Sequence, residues 1–249
     1  MTSRAIRRLP EGLVNQIAAG EVIERPASAI KELVENSIDA GATCIDVIMR
    51  EGGRTLMTVT DDGCGMLAHE LSLAVERHAT SKLPEEDLSQ INTLGFRGEA
   101  LPSIGSVSRM VITSRHQQSE SAWKITVAGG LVEKPIPAAI KAGTRVEIRD
   151  LFYATPARLK FLKTTRTEFS HTAEVIRRLA MANPNIAFTL GDGNRTTIRL
   201  NVTQGDFLKK KLARLSDVMG QEFENNALAI NAEREGFKLT GFIGLPTMN

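Results

Sequence analysis

The chain has 249 residues, of which 42% are hydrophobic, and 31 basic residues against 29 acidic give a net charge of +2. That size supports one full hydrophobic core and part of another, and the near-neutral balance leaves any affinity for nucleic acid or membrane to local clusters. The two cysteines, Cys44 and Cys64, make neither a metal motif nor a disulfide framework, and with no apolar run of membrane-spanning length the reading is a cytoplasmic protein.

In chain order, LVNQIAA (13–19) has helical spacing, and Gly20 is expected to end that helix. Pro26 suits the first turn of a second helix, which carries IKELVENSIDAGA (30–42) and stops at Gly41. CIDVIMREGGRTLMTVTDDG (44–63) reads as two alternating strands around Gly52 and Gly53. ELSLAVERHA (70–79) is helical by period, and the polar, glycine-bearing stretch KLPEEDLSQINTLGFRG (82–98) reads as a loop or lid, with high mobility expected between about Ser81 and Leu94.

SVSRMVITSR, SAWKITVAGG and GTRVEIRDLF alternate as antiparallel strands, and TEFSHTAEVIRRLAMAN (167–183) is a helix followed by Pro184. IAFTLGDGNRTTIRLNV reads as a hairpin around Gly191 to Asn194. Beyond Gly205 a new unit is expected, with one helix (FLKKKLARLSDVMG) and two strands around Glu235 and Gly236. Roughly 45 residues is below the size that usually folds alone. The expectation is an α/β domain over 1–204 and the incomplete start of a second over 205–249.

On a helical wheel Ile30, Leu33, Val34, Ser37 and Ile38 form the buried arc, whereas Glu32, Asn36 and Asp39 gather opposite, with Glu35 at the edge. Glu32 and Asn36 stack one turn apart, and a carboxylate can accept a proton from water while an amide oxygen can ligate a hard cation. Alone, this reads more readily as a solvated polar face. DDGCGM (61–66) ends a strand with an acid and closely spaced glycines, which suits a flat ligand with an amino group and also suits an ordinary turn.

GFRGEALPSIGS (95–106) offers a helix start that can bind phosphate, as can the hydroxyls and lysine of RHATSK (77–82), although both also read as plain loop and helix-end chemistry. Gly143 and Thr144 open a strand, and no P-loop pattern exists. Two basic clusters, ARLKFLKTTR (157–166) and FLKKKLARL (207–215), could meet phosphates through Lys209, Lys210, Lys211 and Arg214. Neither has an aromatic interleaving that would suggest base stacking.

Three segments carry a resemblance: NQIAAGEVIERPASAIKELVENSIDAGA, ATSK followed by GFRGEAL, and DLFYATPARLKFLK. From about Leu9 onward the sequence resembles the N-terminal ATPase region of the MutL mismatch-repair family, in the GHKL superfamily of ATPases. The resemblance implies a two-layer α/β sandwich, a mixed and mostly antiparallel sheet covered by helices on one face. It implies ATP and Mg²⁺ as cofactors, Glu32 as the general base, Asn36 as the Mg²⁺ ligand and Asp61 as the acceptor for the adenine amino group.

By the same resemblance Gly63, Gly65, Met66 and Thr144 shape the adenine pocket. Thr80, Ser81 and Lys82, with Phe96, Arg97, Gly98, Glu99, Ala100 and Leu101, form the lid over the phosphates. Glu35 and Asp39 are given no direct chemistry. The implied function is an ATP-driven switch of DNA mismatch repair that dimerises on ATP binding. It would couple a MutS-type mismatch-recognition protein to a downstream endonuclease or helicase, with non-specific DNA binding, in the bacterial cytoplasm near the nucleoid. The family's further lysine, from its second domain, lies beyond the last residue, so weak nucleotide binding and slow turnover are expected, and a regulatory module with little or no hydrolysis is the alternative. GFRGEAL and DLFYATPARLKFL argue against a kinase or topoisomerase.

Overall fold

The computed structural model describes residues 7–83 and 92–246. Helices α1 (Glu11–Val22) and α2 (Pro26–Asp39) come first, then strands β1 (Cys44–Arg50) and β2 (Leu56–Asp61), joined by a single 3-10 turn at Glu51–Gly53. Helices α3 (Ala68–Ala74) and α4 (Ala100–Val107) flank the segment that contains the undescribed residues, 84–91. Strands β3 (Arg109–Arg115), β4 (Ala122–Ala128), β5 (Leu131–Val132), β6 (Ile136–Ala138) and β7 (Gly143–Arg149) follow. Next come α5 (Pro156–Leu159), α6 (Thr165–Ala182), β8 (Ala187–Gly191) and β9 (Thr196–Leu200), then α7 (Phe207–Met219), α8 (Gln221–Asn225), β10 (Ala227–Arg234) and β11 (Phe237–Gly244).

Among the described residues β1 to β9 form one nine-stranded sheet in the order β5-β4-β3-β7-β2-β1-β8-β9, with β6 also on β4. It is mixed and mostly antiparallel: β1 and β8 run parallel, and the other neighbours are antiparallel. Register sets what shares a face. Met57 pairs with Ile148, Val59 with Val146 and Asp61 with Thr144, so the row that buries apolar side chains ends, two residues on, in a carboxylate and a hydroxyl.

Ile45, Val47 and Met49 of β1, Met110 and Ile112 of β3, and Ile125 and Val127 of β4 belong to the same buried cluster as Ile30, Leu33 and Val34 of α2 and Ile104, Val107 and Ile176 of the other helices. Burying each such side chain contributes about 1.5–3 kcal/mol, enough to hold α2 and α4 against the sheet. β10 and β11 make a separate two-stranded ribbon turned by Glu235 and Gly236, both at positive φ.

Four expectations need correction. Gly20 does not end α1, which runs to Val22; a Cβ at Gly20 would collide with the Arg158 guanidinium, so the glycine there makes room rather than a stop. The helix expected over 70–79 spans only Ala68–Ala74, because His78 turns at φ 63° and its N–H donates to the Gly98 carbonyl at 3.2 Å. Arg214 does not meet solvent: it is fully buried, and its guanidinium donates to the carbonyls of Ala180, Asn183, Pro184, Ile186 and Asn201 at 2.7–3.4 Å. The basic segment 157–166 does present an aromatic ring, because Phe161 is 78% exposed. Among the described residues no helix is long and apolar enough to cross a membrane.

Candidate functional site

Asp61 closes β2, where the strand geometry turns its side chain toward α2. Its carboxylate accepts from Ser37 Oγ at 2.8 Å, Gly63 N at 3.0 Å and Thr144 N at 3.3 Å. Partial burial pushes its pKa up, the three hydrogen bonds pull it down, neighbouring Asp62 pushes it up again, and the net direction is upward. Two donors use Oδ1 and one uses Oδ2; a carboxylate offers roughly four acceptor positions, so Oδ2 retains one. Asp62 points the other way, accepting from the backbone of Thr43 and Cys44 at 2.7 and 2.8 Å.

The glycines after Asp61 are there for space. A Cβ on Gly63 would lie 2.9 Å from the Ala40 carbonyl oxygen at the end of α2, and Gly65, at φ 69°, has its absent Cβ directed into the Arg115 carbonyl. Met66 N donates to Ser114 Oγ at 2.8 Å, and that hydroxyl also reaches the Gly143 carbonyl at 3.0 Å and Thr144 Oγ1 at 2.9 Å. Gly63, Gly65, Met66, Thr144 and Asp61 are thus tied into one corner by two serines, Ser37 and Ser114.

One turn along α2, Asn36 Oδ1 accepts from Lys82 Nζ at 2.7 Å, and the same ammonium lies 2.6 Å from Asp39 Oδ2. Asp39, its side chain 7% exposed, also accepts from Leu94 N at 3.0 Å and Gly95 N at 3.3 Å. Both ends of the loop that contains residues 84–91 therefore converge on this one carboxylate. Thr80 Oγ1 accepts from Lys82 N at 3.2 Å, and Ser81 is exposed beside it. The expected mobility between Ser81 and Leu94 falls mostly on residues 84–91, outside the described residues.

Gly98, at φ 62°, packs so closely under Ala79 that a Cβ would meet its carbonyl. Glu99 caps the start of α4 and its carbonyl accepts from Ser103 N at 3.0 Å, which leaves the first turn of α4, from Ala100 and Leu101, facing the loop. Phe96 and Arg97 stand just before it, the guanidinium 5.8 Å from the ring centre. Glu32 lies a turn before Asn36 with its carboxylate 3.5 Å from Lys31 Nζ, which also bonds Glu35 at 2.8 Å. Burial lowers the Lys31 pKa, the two carboxylates raise it, and the net is upward.

The chain also matches known proteins. Residues 23–146 match the family described as histidine kinase-, DNA gyrase B-, and HSP90-like ATPases. The ADP-complexed ATPase domain of MutL from Aquifex aeolicus superposes with a TM-score of 0.72 at 31% identity, over 92% of this chain and 80% of that one. The chain belongs to the MutL ATPase-domain family. The DNA mismatch repair proteins MutL of Paramagnetospirillum magneticum and Bradyrhizobium diazoefficiens are 62% and 57% identical over 98% of the chain. The chain spans about 40% of the length of those curated MutL relatives.

Within this corner three contributors escape a reading of the sequence. Ser37 belongs by period to the buried arc, yet a hydroxyl among aliphatic positions is a signal in itself, and it meets Asp61. Asp39 shares a helical face with Asn36, but its partners lie 43 to 56 residues away across a loop and no local pattern announces them. Ser114 sits in an ordinary alternating strand. Glu35, placed at the edge of the polar face, is buried and held by Lys31.

Proposed function

We propose that this corner binds ATP with Mg²⁺ and hydrolyses it as the switch of a mismatch-repair protein. The observation that carries the reading is Asp61. A half-buried carboxylate, fixed by Ser37, Gly63 and Thr144, keeps one acceptor position free beside two glycines that admit a flat base. An exocyclic amino group, such as that of adenine, satisfies it. Thr80, Ser81, Lys82 and the first turn of α4 supply hydroxyls, a cation and backbone N–H groups for phosphates.

Asn36 fits a cation because its amide oxygen already receives the Lys82 ammonium. Mg²⁺ keeps waters and takes phosphate oxygens alongside one or two protein ligands, so a single amide oxygen beside the phosphate-facing loop suits it. Bound there, Mg²⁺ would supply charge neutralisation for phosphoryl transfer. Lys82 would then leave Asn36 for the phosphates, and Glu32, one turn away, would accept the proton of the attacking water. Because Lys82, Leu94 and Gly95 all hang on Asp39, nucleotide entry would rearrange the loop as a whole.

In this reading the loop's rearrangement promotes dimerisation and signals between a MutS-type mismatch-recognition protein and a downstream endonuclease or helicase on DNA, in the bacterial cytoplasm. Titration with ATP and Mg²⁺, following binding and turnover separately, tests it. Glu32→Ala should bind and fail to hydrolyse, and Asn36→Ala should lose Mg²⁺-dependent binding. Turnover by Glu32→Ala equal to that of the parent chain would overturn the assignment of the base.

A further inference from the structure

Among the described residues the least exposed ion pair is that of Lys82 and Asp39. Their side chains are 21% and 7% exposed, whereas every other pair has a partner at least 47% exposed. A pair withdrawn from water repays its desolvation only with good geometry and further hydrogen bonds, so stability alone is a weak reason for it. The acid is the last residue of α2, and the lysine reaches it from 43 residues further on.

The ammonium meets two oxygens at once. Lys82 Nζ lies 2.7 Å from Asn36 Oδ1 and 2.6 Å from Asp39 Oδ2. The Gly95 backbone covers it, since a Cβ there would stand 3.7 Å from the nitrogen. Leu94 N and Gly95 N, at 3.0 and 3.3 Å, hold the Asp39 carboxylate in place. An amide oxygen and a carboxylate oxygen that converge on one point make a seat for a hard cation. Lys82 fills that seat from within the chain.

Two cations do not share such a seat. A divalent ion that approached Asn36 would meet the ammonium at contact distance, and in a partly dry site that repulsion outweighs the attraction of one amide oxygen. Withdrawing the ammonium with nothing in its place would leave Asp39 a buried charge with two backbone donors, which is costly. The seat is therefore satisfied in two ways, by the lysine or by another cation. A phosphate beside Lys82 tips the choice, because its oxygens compete with Asn36 and Asp39 for the ammonium.

We infer that Lys82 is a tethered counter-ion that closes the Asn36–Asp39 seat to free divalent cations, so that metal is admitted only together with nucleotide phosphates. The inference rests on the reading of Mg²⁺ and nucleotide given above. It adds the order of events and gives Asp39 the charge of the seat. A lysine that merely pinned the loop would make the same contacts, but its removal would create no affinity for metal.

Titration of the full chain with Mn²⁺ alone, with free ion counted by electron paramagnetic resonance, separates these roles. Lys82→Met, of similar length and uncharged, should bind one equivalent of Mn²⁺ roughly ten-fold or more tightly than the parent chain, because an uncompensated buried carboxylate favours any cation that replaces the ammonium. Lys82→Gln keeps an amide donor for Asp39 and should show the same gain, which covers a Lys82→Met chain that folds poorly. Adding Asn36→Ala or Asp39→Asn to Lys82→Met should abolish the gain. For the parent chain, ADP should bring bound Mn²⁺ above the amount that ADP holds in buffer, whereas adenosine, with the base and no phosphate, should not.

Equal Mn²⁺ affinity in the parent chain and the Lys82 variants would overturn the inference. So would a gain that survives loss of Asn36 and Asp39, or Mn²⁺ binding by the parent chain with adenosine as strong as with ADP. Should the Lys82 variants gain Mn²⁺ while ADP leaves the parent chain unchanged, the closed seat would stand and the reading of Mg²⁺ and nucleotide would fall.

Discussion

At the scale of single residues, Asp61 carries a cost to the fold at neutral pH. Its raised pKa means the folded chain holds that proton more tightly than the unfolded chain. The stability this group contributes is therefore greatest at pH below the ordinary carboxylate range and declines as pH rises through the raised value. Asp61→Asn removes the charge and keeps the shape. At neutral pH the variant should melt no lower than the parent chain and should show a flatter dependence of melting temperature on pH. Nucleotide affinity should fall roughly ten-fold or more, the usual scale for losing a hydrogen bond to a charged acceptor. For the parent chain, acidification should weaken nucleotide binding at a pH above that of an unperturbed aspartate. Calorimetric titration and thermal melts between about pH 4.5 and 8 read both effects, and a variant that melts lower at neutral pH would show that the hydrogen bonds outweigh burial.

Gly65 is a second case where one residue is set by its surroundings. Its φ of 69° and the Arg115 carbonyl where a Cβ would stand make Gly65→Ala cost at least the 1–2 kcal/mol of a left-handed residue, with a matching drop in nucleotide affinity as the corner opens. Equal stability and affinity in the variant would mean that the loop shifts freely.

At the scale of elements, the junction between α2 and the loop leading to α4 depends on Asp39 more than on any residue the sequence singled out. It receives Lys82 and the N–H groups of Leu94 and Gly95. Asp39→Ala should raise the amide exchange rates of Leu94 and Gly95 roughly ten-fold, since each loses a charge-assisted hydrogen bond, while exchange in β2 and β7 stays as it was. Exchange at those two amides unchanged by the substitution would assign the loop's order to other contacts.

The same junction explains what was legible. Helix periodicity exposes which residues share a face, so Glu32 and Asn36 group together in the sequence, as do the residues of the alternating strand that delivers Asp61. The wheel alone favours a solvated face, and only the family resemblance singles them out. Alternation likewise marks β1, β2, β3 and β7. Sequence patterns carry no information about contacts across a loop, so Asp39 looks idle, and none about what packs on a helix from outside. Arg214 reads as one more surface base on a helical period, although its guanidinium gathers five carbonyls that converge between α6, β8 and β9. Gly20 and the residues after Ala74 mislead for a related reason: a glycine can serve a neighbour rather than a turn, and a helical period continues in sequence after the chain has been diverted by the Gly98 pairing.

At the scale of the whole molecule, Arg214 anchors α7 to the unit that holds the nine-stranded sheet. α7 packs on α6 and against β11, and it is the element between the nine-stranded sheet and the β10–β11 ribbon. A two-stranded ribbon is marginal alone, so its persistence depends on that anchorage. Thr203, buried beneath the start of α7, adds a hydroxyl that reaches the carbonyls of Pro184 and Lys210 at 3.0 and 3.1 Å. Arg214→Met fills a similar volume without donors; the carbonyls of Ala180, Asn183 and Pro184 keep backbone N–H donors, while those of Ile186 and Asn201 lose the guanidinium, at about 1–3 kcal/mol for each that water cannot reach. A net loss on the order of 3 kcal/mol corresponds to roughly 6–12 °C in melting temperature for a chain of this size. The damage should stay on one side of the joint. Limited proteolysis of the variant should cut first near Gly205, and nucleotide affinity should change by less than about two-fold, because Asp61, Asn36 and their partners lie outside the clamp's reach and distant sites are nearly additive. Should nucleotide binding instead collapse together with α7, the ribbon and the site would form one cooperative unit, and occupancy of the site would be communicated through the clamp to the β10–β11 ribbon.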